Sequence, residues 1–194
     1  MSTLGLDDRP SKDENFFQRL FWPSPDPSEV DTLGRQGFWL CLILGVLSLV
    51  FLVLRAQPLS GAVALLFFFL GGIGVREHSV TSAIYVAGAY AINICSVIAL
   101  GSSPGPLDLI AFGLLLANIR GTWIASRWMK RAGHEAFPDR MSETLGDKMA
   151  DRMPAAVWPK LSMVFYVLGG VYLLLSVFGM LLLAMHGAYT SRSY

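Results

Sequence analysis

Five long apolar stretches, each cut off by charge or by glycine and proline, set the pattern of the chain. They occupy 37–54, 59–75, 80–100, 107–125 and 161–185. A bilayer core of about 30 Å asks for about 20 residues at about 1.5 Å of rise each, so all five are long enough to span as helices. The second, built around Phe67-Phe68-Phe69, is short, and four crossings would remain if it turned back inside the bilayer. The fifth is long enough to tilt.

The breaks are as informative as the runs. Arg55-Ala56-Gln57-Pro58 leaves room only for a tight hairpin, and Arg76-Glu77-His78-Ser79 separates the second run from the third. Gly101-Ser102-Ser103-Pro104-Gly105-Pro106 is a turn before the fourth run, whose first helical turn then holds Asp108, where a carboxylate favours the helix dipole. The expected organisation is a polar segment at 1–35, four spans within 36–126, a loop at 127–160, a fifth span at 161–186 and a tail at 187–194.

Two segments outside the runs have helical patterns of their own. Ser11-Lys12-Asp13-Glu14 fits a capping box opening a short helix that Pro23 ends. Its Phe16, Phe17, Leu20, Phe21 and Trp22 suit a helix lying on headgroups, and Pro23-Ser24-Pro25-Asp26-Pro27 follows as a stiff spacer. In the loop, Met141, Leu145, Met149 and Met153 recur every four residues, as do Asp139, Glu143, Asp147 and Asp151. An offset of two residues, about 200°, puts the two stripes on opposite faces of an amphipathic helix over 138–153.

Charge orients the array. Arg9, Lys12, Arg19, Arg35, Arg76, Arg127, Lys130, Arg131, Arg140, Lys148, Arg152 and Lys160 fall on one side, against Arg55 and Arg192 on the other. The positive-inside rule places the N-terminus and the 127–160 loop in the cytoplasm, and a bacterial inner membrane is the expected location. The polar opening 1–14 and the late first apolar run argue against a cleavable signal peptide.

Composition agrees with lipid as the solvent: 54% of residues are hydrophobic and only 15% charged. A formal net charge of +1 gives no pull toward nucleic acid. Cys41 and Cys95 both lie in apolar runs and form no CxxC pair, so they read as buried small residues.

Candidate chemistry is sparse. The polar residues inside the spans are Asn93, Asn118 and Arg120, the two asparagines set too far apart in depth to pair. Glu77, just before the third span, is a candidate ion-pair partner for Arg120. Two ladders of small residues, Ala83, Ala87, Ala91, Cys95 and Ala99 on the third span and Gly113, Ala117, Gly121 and Ala125 on the fourth, predict a tight hairpin. Gly71-Gly72-Ile73-Gly74 lacks the Lys-Ser/Thr of a phosphate loop and reads as close packing or a kink. No acid sits at mid-span, the three histidines are scattered, and Ser102-Ser103 has no base but His186 on its side, so no catalytic, cofactor or metal site is expected.

The chain is therefore expected to be an all-α integral membrane protein. It has about five transmembrane helices and a cytoplasmic amphipathic helix between the fourth and fifth. Its partners are the lipid bilayer and another membrane or cytoplasmic protein, docked or anchored through Met141, Leu145, Met149 and Met153. A non-enzymatic accessory or scaffold subunit is the leading expectation. A small oligomeric channel or transporter lined by Asn93, Asn118 and Arg120 is the alternative.

Overall fold

The computed structural model describes residues 27–132 and 145–190. Among them it is all-helical: α1 (Pro27–Leu54), α2 (Pro58–Arg76), α3 (Val80–Ala99), α4 (Pro106–Ala132), α5 (Leu145–Asp147), a π-helical turn (Lys148–Arg152) and α6 (Met153–Thr190). Five of these helices are long and apolar enough to cross a membrane, in the five places the apolar runs predict. The helix expected from the capping box at Ser11, and Met141 of the loop stripe, lie outside the described residues. α1 starts ten residues before its apolar run, at a proline suited to a first helical turn, and so carries Asp31 into the fold.

Three helix ends share one stop signal. After α1, the Gln57 N–H donates to Leu52 O at 2.8 Å and the Ala56 N–H to Val53 O at 3.0 Å, with Ala56 at φ 58°. After α2, Ser79 bonds Gly74 O and His78 bonds Val75 O in the same way, with His78 at φ 57°. After α3, Ser102 and Gly101 repeat the pattern around Gly101. These crossed bonds satisfy carbonyls that a helix end leaves open, and two of the three use a non-glycine residue in the left-handed position. Ser79 then caps α3, its Oγ accepting the Ser82 N–H at 3.3 Å.

α2, which holds the shortest of the five apolar runs, is a continuous helix of 19 residues with more than half of its apolar window buried. It packs against α1, α3 and α6. Its glycine cluster makes that possible. A Cβ on Gly72 would lie 2.9 Å from Cys41 Cβ and 3.2 Å from Phe38 O on α1. One on Gly71 would collide with Val86 of α3, and one on Gly74 with Ser82 of α3 and Trp158 of α6. Three neighbouring glycines thus give three different helices a flat surface to approach. Farther along, Gly45 meets Leu65 and Gly61 meets the backbone of Leu49, so the α1–α2 hairpin is glycine-packed throughout.

The small-residue ladders divide differently from the hairpin they predict. Ala83 and Ala87 of α3 are buried, but Cys95 and Ala99 are exposed. On α4, Gly121 lies against Leu33 of α1, where a Cβ would come within 2.6 Å of Leu33 Cδ2. α4 still packs on α3 as well as on α1, which closes the helices into a ring in the order α1, α2, α6, α3, α4. Phe38, Phe67, Val86, Tyr90, Leu115 and Phe165 fill its middle, and Phe67 stacks on Tyr172 of α6 at 4.3 Å between ring centroids. Asp108 fills the role expected of a first-turn carboxylate, accepting from the Gly105 N–H at 2.9 Å, and also holds Tyr90 Oη of α3 at 3.0 Å.

The loop segment departs most from its pattern. Where 138–153 predicts one regular amphipathic helix, the described part is a single α-helical turn followed by five π-helical residues. A π turn bonds i to i+5, so each such turn takes up an extra residue and shifts every later side chain by about 100°. Asp151, expected on the solvent face, is instead 3% exposed, and Ala150 is buried. Leu145 and Met149 point outward, while Met153 packs against the core.

Candidate functional site

The largest fully buried side chain is Arg76, at the last position of α2. Its neighbours explain how a guanidinium tolerates 1% exposure. Asp31 of α1 meets it end-on as a fork, with Nη1 donating to Oδ1 at 2.5 Å and Nη2 to Oδ2 at 3.1 Å. On the adjoining side edge, Asp151 Oδ1 accepts from Nη2 at 2.6 Å and from Nε at 3.0 Å. Two carbonyls complete the ring of acceptors: Ala150 O takes Nε at 3.1 Å and Asp31 O takes Nη1 at 3.2 Å. The planar fork of arginine suits this arrangement as the point charge of a lysine ammonium does not.

Local structure positions each partner. The turn after α2 stops the helix at Arg76, where a cation also offsets the negative end of the helix dipole. The Gly37 and Val75 contact fixes the α1–α2 register, so Asp31 lies farther out along α1 and the long Arg76 side chain reaches toward it. The π turn rotates Asp151 inward. Two carboxylates meet one guanidinium here, and His78 stands beside them, Nε2 3.9 Å from Asp31 Oδ1. His78 is held by the close approach of Gly34, where a Cβ would lie 3.1 Å from its Cε1. One turn away, Ser79 Oγ and Tyr166 Oη lie 2.9 Å apart and join α3 to α6 at the same end of the bundle.

The residues singled out from sequence lie on several helices. Asn118 is 1% exposed; its Nδ2 donates to Leu114 O at 2.9 Å, and its Oδ1 faces the Gly37 backbone without accepting a hydrogen bond. Asn93 is exposed on α3 and does not meet Asn118. Arg120 is half-buried on α4, and Glu77 is half-buried where it closes α2, its N–H donating to Ile73 O. Leu145 is 80% exposed, and Met149 is exposed beside it. By sequence pattern Arg76 falls in a break between apolar runs, Asp151 falls in the acidic stripe of the loop helix, and Asp31 belongs to neither. The available signal was depth: Asp31 and Arg76 sit at the same end of two helices joined by a tight turn.

Chemically, this cluster binds chain to chain. Arginine holds its proton at any pH a protein meets, so Arg76 is no acid or base. Among the described residues no group of three or more His, Cys, Asp or Glu side chains is placed to hold a metal ion. Away from this cluster, a cavity of about 220 Å³ opens between α2 and α6 and is lined by apolar side chains that include Phe67, Leu70, Phe165, Leu168 and Tyr172. No protein-family model matches the chain, and neither does any curated protein or solved structure.

Proposed function

We propose that the chain is a multi-pass membrane protein acting as a non-enzymatic scaffold or accessory subunit, which presents the segment around Leu145 and Met149 to a partner. The membrane reading draws support from five apolar helices whose outward faces carry Leu54, Leu59, Leu107, Met163, Leu174 and many similar side chains. A water-soluble monomer rarely exposes apolar surface on that scale. The N-terminus and the 145–152 segment belong on the cytoplasmic side of this reading, by charge asymmetry.

The observation that carries the scaffold reading is the Asp31–Arg76–Asp151 clamp. It ties the segment before α6 to α1 and α2, so that Leu145 and Met149 are displayed on a fixed base. The described buried polar and charged side chains, Arg76, His78, Ser82, Asn118, Thr122 and Asp151, all lie toward this end of the bundle. Toward the other end, the described residues bury no charged side chain.

The test is purification of the full chain in mild detergent after crosslinking in its native membrane. A defined partner should be recovered with the wild type and lost with Leu145→Asp/Met149→Asp, the variant remaining folded. Saturable solute flux in liposomes containing the chain alone would overturn the scaffold reading. One observation favours the second reading, an oligomeric channel or transporter: Asn93 presents an exposed amide at mid-span that forms no hydrogen bond among the described residues. An amide in hydrocarbon gains from a polar partner on another helix. Loss of an oligomer on Asn93→Leu would support that second reading.

A further inference from the structure

We infer that the exposed end of α4 binds the headgroup of an anionic phospholipid, with Arg127 and Lys130 as the phosphate ligands and Trp123 as the platform that orients Arg127. The inference rests on the membrane reading and adds a lipid class to it. Arg120, Trp123, Arg127 and Lys130 follow one another at intervals of three, four and three, so they share one face of α4. The second half of this helix holds Arg120, Arg127, Lys130 and Arg131 and no acidic residue.

Geometry adds to the charge. The Arg127 guanidinium lies 3.5 Å from the centroid of the Trp123 ring, and both side chains are exposed. A guanidinium stacked on an aromatic face keeps its N–H edge free for a two-pronged bond to a phosphate. Among the described residues neither Arg127 nor Lys130 forms a hydrogen bond or an ion pair with the protein, so their donors remain available. The helix cannot supply the anion site from its backbone, because its C-terminal end is the negative pole; the side chains must do it.

Depth selects the ligand. α4 begins at Pro106, just after the Gly/Pro turn, and rises about 1.5 Å per residue. Trp123 then lies about 26 Å from the start, Arg127 about 32 Å and Lys130 about 36 Å, against a hydrocarbon core of about 30 Å. The indole falls at the boundary of the core and the two cations fall among headgroups. Indole rings prefer that boundary, and an anionic lipid surface attracts each nearby cation. The stripe therefore matches a lipid phosphate in charge and in height.

The probe is phosphatidylglycerol against phosphatidylcholine with identical acyl chains, offered to the full-length detergent-solubilised protein and counted as bound lipid by native mass spectrometry. Wild type should prefer phosphatidylglycerol, and the preference should fall by about fivefold or more in R127Q/K130Q, given about 1 kcal/mol per cation near an anionic surface. R55Q, which alters a cation stacked on Phe51 at the opposite end of the bundle, should keep most of it. Equal binding of the two lipids by wild type, or a preference unchanged in R127Q/K130Q, would overturn the inference. So would displacement of the lipid by millimolar inorganic phosphate, which would mark a small-anion site, or by a soluble acidic peptide, which would mark a protein site. A chain that stays in the aqueous phase without detergent would instead sink the membrane reading, an outcome distinct from equal lipid binding by a membrane-embedded chain.

Discussion

At the scale of single residues, Arg76 carries the sharpest expectations. Removing one member of a buried charge cluster leaves the others uncompensated, and such losses run to about 3–5 kcal/mol. Arg76→Gln should therefore lower the melting temperature in detergent more than any surface substitution, because it abandons two carboxylates at once. Arg76→Lys should rescue little, since an ammonium cannot reproduce the fork to Asp31 while also serving Asp151. A melting curve for Arg76→Lys matching the wild type would show that charge alone suffices. The Glu77–Arg120 pair is a separate proposal at this scale. A double-mutant cycle with Glu77→Gln and Arg120→Gln should give a coupling of about 0.5–3 kcal/mol if the two side chains interact, and none if Arg120 reaches lipid phosphate instead.

Among the elements, the glycines of α2 and the π turn separate what could be read from the sequence from what could not. Gly71-Gly72-Ile73-Gly74 was legible as a close-packing signal because small size is a local property. That the three between them admit α1, α3 and α6 was not, because it depends on the ring of helices. Gly72→Leu should cost stability through the Phe38 backbone, in the range of about 1–3 kcal/mol typical of overpacking, whereas Gly179→Leu, with nothing within 4 Å, should be silent. Equal melting temperatures for the two variants would contradict the packing. The π turn was invisible for a related reason. A repeat of four looks the same in sequence whether or not one residue is later absorbed by a wider turn. Deleting Ala150 should restore a plain α-helix and swing Asp151 off Arg76, so this variant should melt like Asp151→Ala.

For the whole molecule, five apolar helices were legible because span length and hydropathy belong to each segment alone. The ring order of the helices and the clamp were not legible, since both rest on contacts between segments far apart in the chain. Sidedness remains the global prediction. With Cys41 and Cys95 replaced by Ala, single cysteines at Gln57 and Ser102 should react with an impermeant thiol reagent on intact cells, and one at Lys148 should not. Labelling of Gln57 and Lys148 from the same side would break the proposed topology.

The clamp also has a consequence in time. Asp31 and Arg76 are 45 residues apart, and Asp151 follows Arg76 by a further 75. Ribosomes add about 5–20 residues each second, so Asp151 is made roughly 4–15 s after Arg76. For that interval the nascent chain can match the guanidinium with Asp31 alone, and the Nε edge of Arg76 has not yet met Asp151. The third and fourth spans are made during this wait, and only afterwards does the second carboxylate arrive to close the cluster. Docking of the last helix thereby completes a charge network begun by the first two, and a chain that stops short of Asp151 lacks the carboxylate that meets the Nε edge of Arg76.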